Sequence, residues 1–103
     1  MVYNVNLTDF ASDQLDRIVE YVAVTLCNPT AARAILDDVD EAIEQLETMA
    51  DCFSPCEEPE LAEFGYIRFH LKSHRYVLLY RIVDASVYVE RIFHELQDYR
   101  YLV

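Results

Sequence analysis

Residues 66–93 read YIRFHLKSHRYVLLYRIVDASVYVERIF, and their period decides the fold. In YIRFHLK, Ile67, Phe69 and Leu71 alternate with Arg68, His70 and Lys72. That is the two-residue repeat of a strand with one apolar and one polar face. The stretches RYVLLYRIV and SVYVERIF are rich in Val, Ile, Leu and Tyr, which suit a pleated, half-buried surface. VDAS is the link between them and is long enough only for a turn. Three consecutive strands joined this way form an antiparallel meander.

Ahead of the meander the period changes. DCFSPCEEPELAEFG, residues 51–65, holds two prolines and the chain's one glycine, and is expected to be an irregular connector. Before it, Phe10, Ala11, Leu15, Ile18, Val19, Val22 and Leu26 recur at helical spacing behind a capping Thr8 and a first-turn Asp9. Asn28 and Pro29 read as the cap and first position of a second helix. Its stripe is Ala32, Ile35, Leu36, Val39, Ala42, Ile43, Leu46 and Met49, running to about Ala50. Asp37, Asp38, Asp40, Glu41, Glu44 and Glu47 form its solvated face. The link between the helices is so short that they should fold into an antiparallel hairpin. The opening VYNVNL alternates like a short strand that pairs back with the meander, and HELQDYRYLV is expected to be a short helical or irregular end.

The expected fold is therefore α+β: an N-terminal strand, an antiparallel helical hairpin, then a three-stranded antiparallel meander, with the helices packed on one face of the sheet. At 103 residues the chain suits a single domain spanning 1–103. There is no run of ~18 apolar residues and no basic-then-apolar start, so neither a membrane span nor a secretory signal is expected and the cytoplasm is the default. Cys27, Cys52 and Cys56 are an odd set without a second close pair. They read as free thiols, with no metal site and no cofactor expected.

The formal charge is −11, and it is unevenly spread. Residues 1–60 carry two basic side chains against fourteen acidic ones, while residues 61–103 carry six against five. Within residues 68–75, Arg68, His70, Lys72, His74 and Arg75 occur with no acid among them. Such a stretch is either an anion-handling site or the solvated side of a strand that needs polar groups there anyway. Tyr76, Tyr80 and Tyr88 lie in apolar strands, where packing accounts for them more simply than base stacking.

The ordered set LDRIVEYVAVTLCNPTAARAILDDVDEAIEQLE, GYIRFHL, YVLLYRIV and VYVERIFHELQDYRYL resembles the RelE/ParE superfamily of bacterial type II toxins, the ParE-like branch most of all. The resemblance runs over nearly the whole chain. It implies a toxin silenced by a cognate antitoxin whose disordered segment wraps it. One branch of the superfamily cuts messenger RNA in the ribosomal A site; ParE proteins poison DNA gyrase.

Metal-free RNA cleavage needs a base, cations for the phosphorane and an acid for the leaving oxygen. The resemblance places Arg68, His70, Lys72 and Arg75 as catalytic candidates for the nuclease alternative, with His94 or Tyr101 as acid or base. It also exposes departures. Val77 stands where the nuclease branch carries an arginine, and Glu95 where it carries a further basic residue. The leading expectation is thus a gyrase-binding toxin. A ribosome-dependent mRNA endonuclease is the alternative, and a degenerate toxin that only binds is the third reading. The expected partners are the antitoxin with gyrase, or with the ribosome and its mRNA, and no membrane. A homodimer or a toxin–antitoxin heterotetramer is the assembly to look for.

Overall fold

The computed structural model describes residues 2–57, 59–72 and 75–95. Strand β1 (Asn4–Leu7) leads into helix α1 (Asp9–Glu20). Thr8 makes that junction: its hydroxyl oxygen accepts the Ala11 N–H at 3.2 Å, and the same hydroxyl donates to the Val89 carbonyl at 3.2 Å. One side chain thus satisfies an orphan donor of the helix and pins its start to the sheet.

α1 runs into one wide π-type turn, Tyr21–Thr25, before the chain reverses. The reversal passes through Cys27 at φ 52°, in the left-handed region. Asn28 then caps helix α2 (Pro29–Met49), its side-chain oxygen accepting the Ala31 N–H at 3.1 Å, with Pro29 at the first helical position as expected. The wide turn adds to the residues per turn and slips the stripe, so Val22 stays buried but Leu26 is carried into solvent. Phe10, another expected stripe member, is also half exposed, and the Arg91 guanidinium lies over its ring at 4.2 Å.

The connector is not irregular throughout, which corrects the expectation. A 3₁₀ turn covers Ala50–Cys52 and a short helix, α3, covers Pro59–Glu63. Pro59 sits at a helix start where its missing N–H costs nothing, and Gly65 at φ 85° provides the left-handed stop. Between the 3₁₀ turn and α3, Pro55 bridges Ile67, so the connector lies along the first strand of the meander.

Strands β2 (Ile67–His70), β3 (Tyr76–Val83) and β4 (Ser86–His94) form the antiparallel meander. β1 joins it parallel to β4, giving the order β1-β4-β3-β2. A bulge shifts the β3–β4 register: Tyr80 faces Val89 but Leu79 faces Arg91, so Glu90 is the extra residue. The shift flips the alternation of β4. Val87 and Val89 face the helices, and after the bulge it is Ile92 that does so. The Gln14 side-chain oxygen accepts the Ile92 N–H at 2.8 Å, tying α1 to the irregular point.

The sheet therefore has two apolar faces. Phe69, Leu71, Leu78, Tyr80 and the inward residues of β4 meet the stripes of α1 and α2 in the main core. On the other face Val77, Leu79 and Phe93 pack with Tyr66, Leu61 and Cys56 beneath the connector and α3. Tyr80 is fully buried and its hydroxyl donates to the Ala50 carbonyl at 2.5 Å. Burial, then the nearby Cys52 and Asp51, push its ionisation above the ordinary tyrosine range. Tyr88, expected to be packed, is instead partly exposed beside Arg81 on the second face. No helix among the described residues is long and apolar enough to cross a membrane.

Candidate functional site

β2 is an edge strand, and its alternation separates the two rows read from the sequence. Phe69 and Leu71 enter the main core, whereas Arg68 and His70 lie on the second face, opposite Leu79 and Val77 in register. The centre of that face is apolar. Val77, which stands where the nuclease branch is expected to place an arginine, is 2% exposed and sealed against Phe93 and Tyr66. A long cation there would bury an unpaired charge.

Each described Lys or Arg of the basic stretch has a carboxylate beside it, from a different part of the chain. An Arg68 guanidinium nitrogen (NH2) lies 3.1 Å from Glu57 Oε1 on the connector. Lys72 Nζ lies 3.6 Å from Glu41 Oε1 on α2. Arg75 Nε lies 3.5 Å from Glu95 Oε1, and His70 Nδ1 approaches Glu95 Oε2 at 3.9 Å, so one carboxylate serves both. The Glu95 N–H donates to the Arg75 carbonyl at 2.8 Å, which fixes that acid at the end of the β3–β4 ladder. Arg68, Lys72 and Arg75 are matched by Glu57, Glu41 and Glu95. A polyanion would meet a charge-balanced strip rather than a field of cations.

The candidates do not all converge. His70 and Arg75 meet at Glu95, while Lys72 lies past the end of β2 and turns toward α2. His94 pairs with Tyr76 in register on the helix side of the sheet, their rings edge to face at 5.3 Å. It therefore stands on the face opposite His70. Burial, with a smaller contribution from Tyr21, raises the ionisation of Tyr76. Tyr101 and His74 lie outside the described residues.

Between α2 and β2 opens a cleft of about 500 Å³. Asp38, Glu41 and Gln45 form its helical wall, and Arg68, His70 and Lys72 the strand wall. Phe53 and Phe69, edge to face at 4.8 Å, lie in its lining. Reading the sequence missed this helical wall. Its signal was present in the i, i+3, i+7 spacing of Asp38, Glu41 and Gln45, and in Asp38 lying next to Val39 of the buried stripe. Among the described residues no group of three or more His, Cys, Asp or Glu is arranged to hold a metal ion.

A helical hairpin over one face of a four-stranded sheet is a fold this chain shares with solved structures. The chromosomal ParDE toxin–antitoxin system of P. aeruginosa superposes with a TM-score of 0.74 at 22% identity, over 90% of this chain and 96% of that one. The RelBE2 toxin–antitoxin complex of Mycobacterium tuberculosis superposes with a TM-score of 0.60 at 23% identity, over 91% and 99%. No functionally curated protein matches the sequence. Residues 5–99 match the family described as the ParE toxin of the type II toxin–antitoxin system parDE, and the chain belongs to that family.

Proposed function

We propose that this chain is the toxin of a type II pair, silenced by a cognate antitoxin, and that it acts by binding a protein target, DNA gyrase, rather than by cutting RNA. The observation that carries this reading is the pairing of the basic stretch. Val77 is buried in place of a cation, and Glu95 sits between His70 and Arg75, so two positions that would stabilise a phosphorane are apolar or acidic. The family supports the toxin role, and both solved neighbours were determined as toxin–antitoxin systems.

One observation favours the nuclease alternative. His70, Arg75 and Glu95 do meet, and an imidazole beside a carboxylate and a guanidinium is a workable acid–base group. Two assays on the purified chain and one of growth on expression separate the readings. Inhibition of gyrase supercoiling with intact message in a translation extract is the expected result. Cleaved message that disappears in Arg75→Ala would replace this reading with the endonuclease. Growth unaffected by expression, with the antitoxin still bound, would leave only the binding module.

A further inference from the structure

On the side of β4 away from β3, the sheet changes partner partway along the strand. β1 stops at Leu7, paired with Val89, while β4 runs on to His94. The last rung between them is the Thr8 N–H donating to the Val89 carbonyl at 3.0 Å. Beyond it, among the described residues, no strand lies along that side of residues 90–94. Backbone groups still point that way. The Glu95 N–H donates to the Arg75 carbonyl, so Phe93 and Glu95 bond toward β3 while the N–H and C=O of Ile92 turn outward.

Two side chains cover this run in place of a strand. Gln14 reaches from α1, and its side-chain oxygen accepts the outward Ile92 N–H at 2.8 Å. Arg91 stands opposite Leu79 on the second face, yet its guanidinium lies over the ring of Phe10 at 4.2 Å. Phe10 belongs to α1 on the other side of the sheet, so the Arg91 side chain crosses the edge of β4 to reach it. The same guanidinium donates to the Glu90 carbonyl at 2.8 Å.

We propose that Gln14 and Arg91 guard this edge of β4 and stop it from pairing with the β4 edge of a second copy of the chain. An uncovered edge is a template for another strand, and its own copy is the partner that symmetry favours. Across a two-fold axis at Ile92, the outward N–H of each copy would meet the outward C=O of the other and close an antiparallel rung. Gln14 takes up that donor, and Arg91 lies across the approach. Asp9, Asp13 and Asp16 line the surface beside Phe10 and add a repulsion between copies that salt screens. The guard is independent of the antitoxin and of the target proposed above.

The test compares the purified chain with Gln14→Ala, Gln14→Glu and the double variant Gln14→Ala with Arg91→Ala. Mass is read by light scattering after size exclusion, over a wide range of protein concentration and in low and high salt. Alanine suits a helix interior but lacks the acceptor, whereas glutamate keeps an acceptor at the same reach. Wild type and Gln14→Glu should stay monomeric. Gln14→Ala should dimerise as concentration rises, more readily in high salt, and the double variant should do so at lower concentration still. In dilute solution the Ile92 amide of Gln14→Ala should exchange about tenfold faster than that of wild type, the effect of one lost hydrogen bond. On dimerisation its exchange should slow again, which a purely stabilising role of Gln14 would not produce. Thermal unfolding shows which variants are folded, and any folded one that lacks Gln14 decides. Monomers at every concentration and salt overturn the guard, as does a dimer that leaves Ile92 exchange unchanged. An Ile92 amide that exchanges freely in wild type overturns it without recourse to any variant.

Discussion

Leu78 and Leu79 are neighbours on β3, both without exposed surface, and they face opposite ways. Leu78 enters the main core under two capped helices, the first of them fixed to the sheet by Thr8 and Gln14. Leu79 enters a cluster of six buried residues closed by the connector and the five-residue α3. The first face is held by long, well-anchored elements. The second is closed by short ones and carries the paired basic strip along its edge. The two sides of one sheet are thus closed by elements of different length and anchorage.

The largest effect tests that division directly. Leu78→Ala should destabilise the chain by about 4 kcal/mol, in the upper part of the range for buried leucines, because the helices around it cannot collapse onto the gap. Leu79→Ala should cost about 2–3 kcal/mol, because α3 can settle into the space. Denaturant unfolding with equal m-values checks this. Equal losses would break the comparison and make the second face as rigid as the first.

A smaller effect sharpens it from the main-core side. Tyr80→Phe removes the hydrogen bond to the Ala50 carbonyl and should cost about 1 kcal/mol at neutral pH. The folded chain holds the Tyr80 ionisation above its unfolded value, chiefly through burial. Its contribution is therefore complete below the unfolded value of ~10 and is lost as pH climbs from there toward the folded one. Wild type should lose stability between about pH 8 and about pH 10.5 more steeply than Tyr80→Phe, so that the gap between their thermal midpoints narrows. A constant gap would mean that the phenol is not sealed in the core.

The same division explains what could be read in the sequence. Ile67, Phe69 and Leu71 against Arg68, His70 and Lys72 is a period-two signal, and the caps at Thr8 and Asn28 are local chemistry, so both were legible. The alternation of β4 was not, because the bulge at Glu90 reverses it and depends on pairing with Tyr80. Pro59 and Gly65 did signal a helix, but one of five residues gives no hydrophobic period to support it. The ion partners of the basic stretch lay further from reach. Glu41, Glu57 and Glu95 come from three separate segments, and only the fold brings them to Lys72, Arg68 and Arg75. A run of charge without acids in the sequence became a balanced strip in space.

The smallest stability effect carries the most information about that strip. Glu95 touches both His70 and Arg75 across exposed distances of 3.9 and 3.5 Å, so Glu95→Gln should change stability by no more than about 0.5 kcal/mol. Its consequence is electrostatic. With the carboxylate neutralised, Arg75 and any protonated His70 face solvent unopposed, and retention on a heparin column should move to higher salt. Asp84→Asn makes the same change in net charge at the turn between β3 and β4, where Asp84 adopts φ 54°, a conformation asparagine also accepts. Its retention should shift less. If the two variants shift alike, Glu95 counts only as one of nineteen acids, and the overall charge rather than local pairing keeps polyanions off this face. If Glu95→Gln alone shifts, the single carboxylate shared by His70 and Arg75 keeps this edge charge-balanced.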